Sequence, residues 1–201
     1  MHALGNSSML FSGAIFRSEE LLISCELVYV FADPLSQTAK PVPDALRSLL
    51  TDFEAGEPLV SIKTGHWAEL GADAAKVRTE VFVHEQRIPL NMERDEVDQT
   101  AIHAVAYNRL GQAIATGRLA NHAPGVSKIG RMAVRQVLRG SHLGADVLSA
   151  LMATARTRGD REVLLYAQCS AQGFYARLGF QTRGEPFEEA GISHIEMFTS
   201  L

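Results

Sequence analysis

Residues 130–159, GRMAVRQVLRGSHLGADVLSALMATARTRG, put a short apolar strand pattern, a glycine-containing turn and a long amphipathic helix in direct succession. Backbone N–H groups at the mouth of such a helix can point together at an anion. The helix carries Val147, Leu148, Leu151, Met152 and Ala155 on one side, and Gly159 suits its end. Two common uses of this arrangement fail at once. There is no GxxxxGK[ST], which excludes a nucleoside-triphosphate loop, and no GxGxxG with a distant acidic residue, which excludes a dinucleotide fingerprint. What remains is an arginine, Arg139, spaced ahead of Gly144.

The elements around this unit follow from periodicity. LVSIKTGHW, from Leu59, predicts a strand, and Leu70, Ala74, Val77 and Val81 at steps of four, three and four predict a helix. AIHAVAYN and AIATGRLA, joined around RLGQ, predict an antiparallel hairpin, with SKIGRMAV as the next strand. EVLLYAQ reads as a buried strand, AQGFYARL as a short helix closed by Gly179, and SHIEMFTS as a final strand. Helices and strands mixed around a central hairpin predict an α/β domain.

The first 57 residues read as an N-terminal extension of unknown role, ahead of a domain over residues 58–201. LVYVFA is a strand candidate, ADPLSQTAKPVP a loop, and Leu46, Leu49, Leu50 and Phe53 fall on one helix face between Pro43 and Gly56. Residues 9–31 are apolar enough to be tested as a membrane span, but Arg17, Glu19, Glu20 and Glu26 interrupt them, so no membrane association is expected. At 201 residues the chain suits one well-packed domain with an appendage. A charged fraction of 21% and a net charge of −4 give no reason to expect nucleic acid as a partner. Cys25 and Cys169 form no CxxC and are too few for a disulfide scaffold, which points to a reducing, cytoplasmic location.

Together with GRMAV before it and FYARLGF after it, the Arg139 turn resembles the acyl-CoA-binding core of the GNAT superfamily of N-acetyltransferases. VRTEVFVHEQRIP, ERDEVDQTAIHAVA, IGRMAV, AQCSAQGFYARLGF and GISHIEMF, in that order, are similar to the ElaA-like branch and cover the chain from Leu59 to its end. The resemblance implies a mixed, mainly antiparallel central sheet flanked by helices (an α+β arrangement) and acetyl-CoA as co-substrate. It implies that IGRMAV splays from VLLYAQ and that the backbone of Met132, Ala133 and Val134 holds the pantetheine and polarises the thioester. It places the pyrophosphate on Arg139, Gly140, Ser141, His142, Leu143 and Gly144. Tyr175 would sit near the sulfur and protonate the departing thiolate, with Phe174 and Phe180 in the core. The superfamily pattern is Arg or Gln, two residues, Gly, one residue, Gly or Ala, and here His142 stands at the first glycine position. Its side chain either approaches the phosphates or points to solvent.

The acceptor implied is a small-molecule or peptide amine attacking directly in a ternary complex, since no Ser-His or Cys-His pair is readable. Glu85, in VHEQ, is the candidate base. Glu93, Asp95, Glu96 and Asp98 form either a solvated loop or an acidic lining that favours a cationic amine. His84 and Glu85 begin no HExxH, and His66, His103, His122, His142 and His194 lack metal-ligand spacing, so no metal is expected and these histidines read as structural. Cys169 has no basic neighbour and is not read as a nucleophile. EVFVHEQ and ERDEVD also resemble acyl-homoserine lactone synthases, against which the GISHIEMF ending argues. A non-catalytic acyl-CoA-binding or partner-binding module is the alternative from another class, and the sequence leaves room for a homodimer.

Overall fold

The computed structural model describes residues 3–201, which divide into two compact units, the first ending at Leu59 and the second running from Val60 to Leu201. The first contains β1 (Ala3–Leu4), β2 (Ser8–Arg17), β3 (Glu20–Val30) and α1 (Asp44–Glu54). β2 and β3 form an antiparallel hairpin from Ser8↔Val30 to Arg17↔Glu20, and β1 adds to β2 at Ala3↔Leu10. Ser18 takes a φ of 54° at the two-residue turn, where Arg17, Glu19 and Glu20 break the apolar run. Residues 31–43 return to the hairpin's open end: Phe31 N–H donates to Ser7 O at 2.8 Å and Val42 N–H to Asn6 O at 2.8 Å. Pro43, which has no N–H to lose, stands directly ahead of α1.

The second unit runs β4 (Val60–His66), α2 (Trp67–Arg78), a π-helical turn (Thr79–Glu85), α3 (Leu90–Glu93), β5 (Ile102–Asn108), β6 (Ala113–Ala123), β7 (Val126–Val134), α4 (Leu143–Arg158), β8 (Glu162–Gln168), α5 (Gln172–Arg177), β9 (Gln181–Glu189) and β10 (Ile192–Ser200). Its seven-stranded sheet has the order β4-β5-β6-β7-β8-β10-β9, with β7 and β8 parallel and the other pairs antiparallel. The expected mixed α/β fold with a mainly antiparallel sheet is therefore present. Strand alternation divides the core between two helices. Ala104, Ala106 and Ala115 pack with Val147, Leu148 and Leu151 of α4, whereas Val105, Ala113 and Ala133 pack with Leu70, Ala74 and Val77 of α2. The parallel step is made by α4, which carries the chain from β7 to β8 in a βαβ crossover.

Candidate functional site

Two irregularities in β7 open the sheet near its middle. Gly130 faces Arg118 and Ala133 faces Thr116, so Arg131 and Met132 together oppose Gly117 in a β-bulge, with Arg131 at a left-handed φ of 53°. Gly117 has to be small: a Cβ there would meet Met132 Sδ at 2.5 Å and Leu151 Cδ1 at 2.8 Å. The bulge reverses the alternation, since Ile129 before it and Met132 and Val134 after it all pack on the α4 side while Ala133 turns to α2. On the other edge, parallel pairing with β8 runs only from Val126↔Glu162 to Ile129↔Leu165. β8 keeps β10 as far as Gln168↔His194. The two strands thus part, and the main chain of residues 130–134 faces no strand on that side among the described residues.

A cleft of about 470 Å³ lies at this divergence, lined among others by Met132, Leu165, Tyr166 and Tyr175. Tyr175 on α5 is 9% exposed and packs edge-on to Phe174 and Phe180, with ring centroids 4.9 and 6.0 Å away. Burial pushes its phenol up to about 12, so it is a protonated donor at neutral pH. His194, read from the sequence as structural, also lines the cleft. Its Nδ1 is 2.8 Å from the Ile192 carbonyl, which can only accept, so Nδ1 is the donor in this contact and Nε2 is the ring nitrogen left for the cleft.

The turn ahead of α4 leaves backbone donors at the mouth of the helix. Gly140 has φ 85° and His142 φ 65°, the latter a left-handed conformation that costs a side-chain-bearing residue roughly 1–2 kcal/mol. Ser141 Oγ donates to Leu138 O, and His142 O takes the N–H groups of Ala145 and Asp146 at 2.9 and 3.1 Å. The N–H groups of Leu143 and Gly144 remain at the helix mouth, where an anion is favoured. A Cβ at Gly144 would come within 3.3 Å of Phe174 and 3.6 Å of Val134, so turn, strand and the Tyr175 helix meet there.

Arg139 and Glu85, expected in different roles, are partners. Arg139 donates to both Glu85 oxygens at 2.7 and 2.6 Å and through Nε to Val134 O at 3.2 Å. The π-helical turn, closed by Gln86 N–H to Val81 O at 3.0 Å, carries Glu85 to this position. Arg139 holds the Glu85 carboxyl below the usual carboxylate range and is itself raised by it. Glu85 is not among the residues lining the cleft, and its two oxygens are engaged.

Within the acidic segment Glu93, Asp95 and Asp98 are engaged by arginines, whereas Glu96 is exposed. Glu93 and Asp98 are 2% exposed. Arg78, itself buried, reaches Asp98 at 2.8 and 2.9 Å, the Glu93 carbonyl at 2.8 Å and the Glu93 carboxylate. Arg118 bonds Asp98 at 2.7 Å and also Asp95, while Arg131 reaches Asp95 and the Glu93 carbonyl, both at 3.0 Å. Burial alone would raise the Asp98 carboxyl, but Arg78 and Arg118 outweigh it and hold it low. Cys169 lies outside the cleft lining, with Sγ 3.3 Å from Ser193 Oγ.

A family model described as an acetyltransferase (GNAT) domain matches residues 68–201. The uncharacterized N-acetyltransferase YjcF of Bacillus subtilis is 34% identical over 126 residues, 62% of this chain and 89% of that protein. An acyl-CoA N-acyltransferase from Pseudomonas aeruginosa, 34% identical, superposes with a TM-score of 0.62 over 69% of this chain and 98% of its own. Escherichia coli ElaA, 29% identical, gives the same TM-score over the same shares.

Proposed function

We propose that this chain, which belongs to the GNAT acetyltransferase family, transfers an acetyl group from acetyl-CoA to a primary amine by direct attack in a ternary complex. The divergence of β7 and β8 beside the Arg139–Gly144 turn, with Tyr175 on the same cleft, carries this reading. The open edge of Met132, Ala133 and Val134 suits an extended, amide-containing pantetheine, and the N–H groups at Leu143 and Gly144 suit its pyrophosphate. Acetyl-CoA supplies an activated thioester carbonyl. Gly144 is where a side chain would fill the cradle.

In this mechanism the amine nitrogen forms a bond to the carbonyl carbon as the C–S bond breaks. Tyr175 donates its phenolic proton to the departing sulfur, and His194 Nε2 takes the proton released by the amine. The buried Tyr175 is suited to this because a phenol held up to about 12 stays protonated until charge builds on sulfur. Glu85, the base expected from the sequence, is assigned instead to Arg139: it orients the guanidinium beside the phosphate turn and yields it, in whole or part, when pyrophosphate arrives.

Calorimetry with acetyl-CoA tests the binding half. Gly144→Asp should reduce affinity at least ~100-fold by adding a clash with Phe174 and a negative charge beside the phosphates; equal affinities in the two proteins would refute the assignment. For the chemical half, thiol release in Tyr175→Phe should fall about 10²-fold in kcat with coenzyme affinity nearly unchanged. Wild-type kcat in that variant, or an acetyl group trapped on Cys169, would overturn direct attack with Tyr175 as acid.

A further inference from the structure

The charges on the cleft do not cancel at one position. Arg78, Arg118 and Arg131, with Arg94 at the edge, are matched against Glu93, Asp95 and Asp98 in one connected network. Asp95 and Asp98 are thus engaged by guanidiniums, whereas Glu93 keeps one buried oxygen, Oε2, without a hydrogen bond and Glu96 is exposed. Lys128 stands outside this network. It lies on β7 between the fully buried Ser127 and Ile129, so alternation turns it to the opposite face, where it lines the cleft with Tyr166.

Lys128 Nζ sits 3.3 Å from the centroid of the Tyr166 ring and has no carboxylate at ion-pair distance among the described residues. Glu189 and Glu196 attract it only from further away, and Glu196 is taken by Arg183. Arg118 and Arg131 add like charge nearby, and half-burial already pushes the ammonium below its ordinary pKa. A cation–π contact fixes such a group in place but accepts none of its three N–H donors directionally. The ring is itself held: Tyr166 meets Phe187 edge-on at 5.0 Å, and Phe187 stacks on His194 at 6.0 Å. A positioned, half-desolvated and unpaired ammonium on a cleft of small-molecule size is a built receptor for one anion.

We infer that Lys128 anchors a carboxylate of the acceptor, so that the substrate is a primary amine that also carries a carboxylate, an amino acid or short peptide and not a polyamine. This rests on the acetyl-transfer reading. A polyamine would bring further positive charge beside Lys128, Arg118 and Arg131, with Glu189 as the cleft carboxylate outside the arginine network, whereas a carboxylate would satisfy the Lys128 ammonium and offset its desolvation.

The test uses the full chain, saturating acetyl-CoA and matched pairs of primary amines that differ only in carboxylate versus carboxamide, with rates expressed per neutral amine. The wild type should prefer the carboxylate by roughly 10- to 100-fold in kcat/KM, mostly through KM. Lys128→Met, which keeps an unbranched stem over Tyr166 without the ammonium, should remove the preference, and Lys128→Arg should restore much of it. Amides and polyamines accepted as well as carboxylates by the wild type would overturn the inference and leave acetyl transfer standing. Bound acetyl-CoA with no thiol release to any of these amines would overturn both. The wild-type comparison decides the matter even where a variant fails to fold.

Discussion

β2 and β3 pair from Ser8↔Val30 to Arg17↔Glu20, and β6 and β7 pair over a comparable length from Ala115↔Val134 to Ala123↔Val126. Each pair satisfies its backbone along the ladder, yet the side chains fare differently. Ile15, Phe16, Ile23 and Val28 are all more than half exposed, whereas Leu119 and Ile129 have no exposed surface. Strand pairing needs only alternation and a turn, but burial needs further layers, and in the second unit α2 and α4 supply them from opposite faces. The difference teaches where stability resides: hydrophobic stabilisation follows the area removed from water, and the hairpin removes little.

The sharpest contrast is between charges. Arg17 and Glu20 face each other at the exposed hairpin turn, whereas Asp98 is shared by Arg78 and Arg118 in the interior. Asp98→Asn should cost about 3–5 kcal/mol, because it leaves the buried Arg78 and the partly buried Arg118 short of a shared partner; Glu20→Gln should cost little. Since the folded Asp98 carboxyl is held low, its stabilisation is complete above the ordinary aspartate value near ~3.9 and is lost as pH falls through the lower folded value. Urea titrations from pH 7 to 2.5 should therefore show a weaker acid slope in Asp98→Asn than in the wild type. An unchanged slope would mean that the network does not drive acid unfolding.

Apolar truncation is the next contrast. Leu119→Ala should destabilise by about 2–5 kcal/mol and Ile23→Ala by no more than about 0.5 kcal/mol, as read from urea midpoints. Similar losses at both sites would break the comparison, because the hairpin would then be as buried in solution as the sheet. The smallest effect should come from the largest change. A chain starting at Val60 should retain acetyl-CoA affinity within about threefold of the full chain, because the turn, bulge and Tyr175 all belong to residues 60–201. A molten or insoluble product would show that residues 1–59 complete the second unit's core.

Periodicity made much of the second unit legible. The steps from Leu70 to Val81, the buried run of EVLLYAQ and the helix ending at Gly159 each correspond to an observed element. Besides the two-residue β1, two longer strands escaped it for the same physical reason. β9, QTRGEPFEE, is exposed at every residue, and β2 has no buried residue, so neither carries the apolar rhythm that burial imposes. The site divided likewise. Arg139 and Gly144 stood out by spacing and element order and Tyr175 through the family resemblance, whereas Lys128 lay in no motif and His194, although inside GISHIEMF, read as structural.

By itself the sequence determined the order of the buried elements of the second unit, the strand-turn-helix unit at residues 130–159 and the absence of nucleotide-loop spacing, because these depend on neighbours a few residues apart. Only the tertiary structure decided which charges remain available. Glu85 and Arg139 are 54 positions apart and Arg78 and Asp98 are 20 apart, and each pair forms only when helix, loop and sheet are packed. The bulge at Arg131 likewise depends on Gly117 across the ladder, where Met132 needs the space a side chain would fill. Pairing of distant charges and close approach of distant backbones are properties of packing, and no local pattern encodes them.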